Sequence, residues 1–187
     1  DANALPARFP THKHNAEFWE NLGRAVGTFG FLEEVLGKAI FAFTATKPYS
    51  EEEALKAYKL WLPKLEHALH DQLGTLINAY GKAVREHPES TIENLDELLG
   101  NMRAAARVRN VICHGSWRGP DAAGASVPFF VNQEMQRFDT AIDSEYLCKL
   151  QRHVSELICA VVNTVTHMGW QFPGSKGPGE VIWESER

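Results

Sequence analysis

The sequence predicts an all-α protein, a bundle of four to five long helices with a small β-hairpin inserted after the third. Three observations predict it. Apolar residues recur at steps of three and four through most of the chain. Capping sequences and proline or glycine stops cut that pattern into segments. Only one internal stretch, residues 119–142, exchanges helical periodicity for turn chemistry and short alternating runs.

Residues 1–13 hold Pro6 and Pro10 and are expected to form an N-terminal arm, with a helical domain over 14–170 and a tail over 171–187. From about Asn15 to Thr46, the residues Phe18, Leu22, Val26 (or Ala25), Phe29, Leu32, Leu36, Ala39/Ile40 and Phe43 place one apolar stripe along a helix. Gly23, Gly27, Gly30 and Gly37 each cost roughly 1 kcal/mol of helix propensity relative to alanine, so close approach of a neighbouring helix is expected there. Pro48 ends this helix.

Ser50-Glu51-Glu52-Glu53 is a capping box opening a second helix through Leu55, Leu62, Leu69, Leu76/Ile77 and Val84. Pro63 is expected to kink or split it near Trp61, and His87-Pro88 to stop it. Ser90-Thr91-Ile92-Glu93 offers a second capping box, for a helix through Leu95, Leu98/Leu99, Met102, Ala105, Val108 and Ile112. Gly115 would supply its left-handed exit. Gly119-Pro120-Asp121-Ala122-Ala123-Gly124 is turn chemistry, and Val127–Gln133 with Gln136–Ile142 are the expected hairpin strands. Asp143-Ser144-Glu145 opens the last long helix, Tyr146 to about Met168, on Leu147, Leu150, Val154, Leu157/Ile158, Val161/Val162 and Val165. The tail is rich in proline and glycine and stays mobile unless Val181-Ile182-Trp183 docks.

The 187 residues suffice for one domain with a real core, and 44% hydrophobic with 23% charged residues is globular composition. No run approaches the roughly 20 uninterrupted apolar residues of a membrane span, so no membrane partner is expected. Asp1–Pro6 carries neither the basic nor the apolar region of a secretory signal. Cys113, Cys148 and Cys159 are odd in number and lie in apolar helical patterns, which suggests reduced core thiols and a cytoplasmic setting. A net charge of −5 excludes bulk electrostatic coating of nucleic acid. Any such role must be local.

One such locality exists. Between Met102 and Gly119 the chain carries Arg103, Arg107, Arg109 and Arg118 and no acidic residue. Arg103, Arg107, Asn110 and His114 follow steps of four, three and four and form one stripe. Arg109 falls on the apolar side, in line with Met102, Ala105 and Ile112, and must be paired or must face a ligand or a partner surface. His114 closes the helix, where the negative end of the macrodipole favours a protonated imidazole. A proton-carrying imidazole, a guanidinium and an amide are the groups phosphodiester chemistry needs. The blander alternative, a histidine cap beside a solvated basic face, fits the same spacing.

The run Arg107-Val108-Arg109-Asn110-Val111-Ile112-Cys113-His114-Gly115-Ser116-Trp117 resembles the signature of the HEPN superfamily, an R-N-x-x-x-H ending of a core helix. Phe29–Leu36, with Glu33 among apolar positions, resembles the opening helix of that family. The resemblance implies a HEPN-like all-α domain and a homodimer whose motif helices build one cleft. It further implies a metal-independent endoribonuclease that uses the RNA 2′-hydroxyl as nucleophile, of toxin or phage-defence type, with no cofactor. Carried over, Arg109 contacts the phosphate, Asn110 orients and His114 transfers the proton. Arg103, Arg107, Trp117 and Arg118 are candidates for RNA and phosphate binding, and Glu33 for ionic support of a motif arginine. Trp117 serves equally well as a hairpin anchor. Two other functions stay open: a non-catalytic RNA- or protein-binding module, and a toxin subunit silenced by an antitoxin protein.

His67 and His70 lie one helical turn apart, but no further ligands stand nearby, so an exposed helix face is expected and no metal site. There is no glycine-rich phosphate loop, nucleophile elbow or zinc spacing.

Overall fold

A computed structural model describes residues 4–47, 50, 72–173 and 175–176. Among these residues the protein is mostly helical, with four α-helices: α1 (Ala16–Ala45), α2 (Leu73–Arg85), α3 (Leu95–His114) and α4 (Ser144–Thr166). A 3-10 turn, Thr11–Lys13, precedes α1, and β1 (Trp170–Gln171) pairs antiparallel with β2 (Ser175–Lys176) after α4. That pair straddles the expected start of the tail at 171. The expected kink at Pro63, the histidine pair His67 and His70, and the segment Val181–Trp183 lie outside the described residues, as does most of the capping box at Ser50.

The helix starts follow from side-chain caps. Asn15 Oδ1 accepts the Phe18 N–H at 2.8 Å at the head of α1, and Asp143 Oδ1 accepts the Tyr146 N–H at 2.7 Å at the head of α4. The expected box at Ser90 does not open α3. The Ser90 N–H instead bonds the His87 carbonyl in the turn after α2, and α3 starts later, with the Asn94 carbonyl accepting the Leu98 N–H. Asp96 and Glu97 occupy its first turn, where the helix dipole favours negative charge.

The chain divides into two compact units, each built from separated pieces of sequence. The first joins residues 1–29 to 107–153. It buries Phe18, Leu22, Ala25 and Phe29 of α1, Val111 and Ile112 of α3, and Leu147 and Leu150 of α4, along with Ile142. At the open choice between Ala25 and Val26, Ala25 is the buried residue. The second joins residues 30–106 to 154–187. It buries Leu32, Leu36 and Phe43 of α1, the Leu76–Tyr80 face of α2, Leu99 and Met102 of α3, and Val154, Val161 and Val165 of α4.

Among the described residues the glycines of α1 mark no close helix approach: apart from the backbone of α1 itself, no atom lies within 4 Å of a Cβ built at Gly23, Gly27, Gly30 or Gly37. The close approach occurs at Gly81 of α2, where a Cβ would meet Leu99 Cδ1 at 2.7 Å. A helical glycine therefore signals contact only when it lies on the buried stripe, as Gly81 does. The cysteines also depart from expectation. All three are free, but Cys113 and Cys148 are exposed and Cys159 is half-buried, so none is a core thiol.

Between α3 and α4 the backbone forms three isolated antiparallel bridges, Ser116↔Phe129, Ser126↔Ile142 and Val131↔Arg137, and no continuous strand. Side-chain turns lie before the first expected strand and between the two. Asp121 Oδ1 accepts the N–H groups of Ala123 and Ala125, and Asn132 Oδ1 those of Glu134 and Gln136.

Candidate functional site

The last two turns of α3 belong to the first unit and are anchored there by buried Val111 and Ile112. The opposite face is open. Arg107, Asn110 and His114 are all exposed, as their shared stripe predicts. Arg109 is half-buried on the other side, and its Nη1 donates to Asn110 Oδ1 at 3.4 Å. The long guanidinium arm thus reaches round the helix toward the exposed face. Arg109 and Asn110 are thus joined to each other, while His114 lies on the same exposed face one turn on, at the helix end where unsatisfied carbonyls place partial negative charge.

Gly115 ends the helix for a different reason from the one expected. Its φ is not in the left-handed region, which among the described glycines holds only Gly124 and Gly169. A Cβ at 115 would meet the Val111 carbonyl oxygen at 2.6 Å and Pro128 Cβ at 2.9 Å. Glycine is needed because the returning segment packs directly on the helix end. The Gly115 N–H still bonds the Val111 carbonyl, at 2.8 Å, and Ser116 then exchanges two backbone hydrogen bonds with Phe129.

Trp117 is half-buried in an aromatic cluster with Phe18 (centroids 5.0 Å apart), Trp19 and His14. It is engaged there as an anchor of the post-motif segment. The Arg118 carbonyl accepts from His14 Nε2 at 2.9 Å, while its exposed guanidinium lies over the Phe129 ring, 5.6 Å from the centroid. Arg103 is exposed on the same α3 stripe but belongs to the second unit, where its Nη2 donates to Asn78 Oδ1 at 3.0 Å. Glu33 also belongs to the second unit and is half-buried on α1.

Sequence reasoning missed four residues of this region: His14, Ser126, Phe129 and Arg137. Ser126 Oγ stands 3.1 Å from His14 Nε2, superficially a nucleophile–base pair. The same nitrogen bonds the Arg118 carbonyl, which requires it to carry the proton, so it cannot take one from the serine. Both residues are buried, and His14 stacks on Phe18 at 3.9 Å. The pair is a strut tying the N-terminal segment to the segment after the motif. Its one signal in the sequence is a histidine just ahead of the Asn15 cap of α1.

Among the described residues, no three histidine, cysteine or carboxylate side chains are grouped to hold a metal, and no helix is long and apolar enough to cross a membrane. No family model, curated protein or solved structure matches the chain.

Proposed function

We propose that the protein is a HEPN-type, metal-independent endoribonuclease whose reacting groups are Arg109, Asn110 and His114. The observation that carries this reading is the hydrogen bond from Arg109 Nη1 to Asn110 Oδ1, which draws a half-buried guanidinium toward the exposed face that ends in His114. The His114 imidazole removes the proton of an RNA 2′-hydroxyl. The 2′ oxygen then forms its bond to phosphorus as the bond to the 5′ oxygen breaks, leaving a 2′,3′-cyclic phosphate. The departing 5′ oxygen takes a proton from the His114 imidazolium of a second copy, the cleft being shared in a homodimer. Arg109 offsets the charge that grows on the phosphoryl oxygens, and Asn110 fixes the guanidinium's orientation. Arg107 extends the positive face along the strand. An antitoxin protein covering this face would silence it.

The test is incubation of the protein with single-stranded RNA in EDTA, followed by end-group analysis. Cleavage with 2′,3′-cyclic phosphate ends is expected, and an oligonucleotide with a 2′-deoxy residue at the cleaved position should resist. Binding without cleavage would assign the protein to the non-catalytic class. Cleavage only with added metal would overturn the mechanism.

A further inference from the structure

Two guanidiniums converge on one half-exposed ring in the segment after the motif. Arg118 lies 5.6 Å and Arg137 5.4 Å from the centroid of Phe129, a ring left 45% exposed. The backbone dictates this convergence. Ser116 and Phe129 form a hydrogen-bonded antiparallel pair, so Arg118, one alternation further along, shares the face of Phe129 and meets it diagonally. Val131, one alternation after Phe129, opposes Arg137, which brings the second guanidinium to the ring from the other neighbouring segment.

Among the described residues no ion pair joins either arginine to a carboxylate. Both are exposed, although Glu134 and Asp139 lie close by in sequence. A ring in place of carboxylates holds the two cations without neutralising them. In a chain of net charge −5, that is a local site for an anion that also has flat aromatic surface to stack. A single-stranded nucleic acid has both, whereas an acidic peptide supplies only the charge.

From this geometry we infer that Arg118, Phe129 and Arg137 form a binding platform for single-stranded RNA, beside the end of α3 that carries His114. The inference rests on the reading of that helix end as an RNA-cleaving site and names how the substrate strand is held there. The two arginines take successive phosphates, and a base stacks on the Phe129–guanidinium group. Duplex RNA, with its bases turned inward, binds more weakly.

The test is fluorescence anisotropy of a labelled ten-nucleotide uridine RNA with the full chain carrying His114→Ala, so that cleavage does not intrude. Adding Phe129→Ala should weaken binding roughly tenfold, and Arg137→Gln should also flatten the plot of log affinity against log salt by about 0.7 for each phosphate no longer held. Circular dichroism checks that each variant is folded, and Phe129→Tyr should retain binding. Unchanged RNA affinity in both variants, or tighter binding of a poly-glutamate peptide than of RNA, would overturn the platform. Cleavage by the otherwise wild-type chain, unaffected by Phe129→Ala and Arg137→Gln, would remove the platform and leave the endoribonuclease reading standing. RNA binding that depends on these residues without any cleavage would do the reverse.

Discussion

A methyl group at position 115 has nowhere to go, with the Val111 carbonyl oxygen and Pro128 Cβ both inside contact distance. Gly115→Ala should therefore destabilise the protein by roughly 1–3 kcal/mol, as overpacking does, measured by urea unfolding. Unchanged stability would mean that the segment after the motif does not seat on the helix end. His87 carries a second consequence at this scale. The Glu89 N–H donates to its Nδ1 at 3.2 Å, so Nδ1 is unprotonated, and Nε2 donates to Thr46 Oγ1 at 3.1 Å. Thr46 Oγ1 in turn donates to the Ala42 carbonyl at 2.7 Å. Burial holds the imidazole pKa below its usual value, as does Lys47, against the opposing pull of Glu89 and the bond at Thr46. Because the folded pKa is depressed, the neutral ring contributes stability that is full above the unfolded value, about 6.5. That contribution is lost as pH falls through the folded pKa. The urea midpoint should thus drop on acidification below pH of about 6.5, and His87→Phe should flatten that slope. An unaltered slope in the variant would refute the assignment.

At the scale of elements, the sequence was most legible where one period governs burial. The stripes of α1 and α4 are buried as their steps of three and four require, because a helix face needs no information from distant residues. Signals that depend on long-range partners are less legible. The Ser90 box is a sound local motif, yet its backbone is taken up by the turn from His87. Phe129 and Arg137 fall within the expected hairpin strands, but nothing local joins them to Arg118 until Ser116 is paired with Phe129 across the backbone. Of the candidate site, the exposed stripe of Arg107, Asn110 and His114 was legible from helical geometry, while the turn of Arg109 toward Asn110 was not. The strut between the N-terminal segment and the post-motif segment also needed the fold. His14→Ala removes two hydrogen-bonding partners and the stack on Phe18, which should cost about 2–3 kcal/mol. Thermal melting followed by tryptophan fluorescence, with Trp19 and Trp117 as reporters, measures it; a melting temperature equal to wild type would contradict the strut.

For the whole molecule, a net charge of −5 sets the terms of any encounter with RNA. Long-range attraction is absent, so recognition must come from the local group of arginines at the end of α3 and in the segment after it. Weak or salt-insensitive binding of RNA would leave Arg109 and His114 without a substrate. The most direct measurement is the single-turnover rate of RNA cleavage in EDTA by the wild-type chain and by His114→Ala, each checked for an equal melting temperature. Loss of an acid–base group predicts a fall of about 10²–10⁴-fold in the variant. Equal rates in the two proteins would contradict the assignment of His114 as the proton-transfer group, and with it the proposed chemistry.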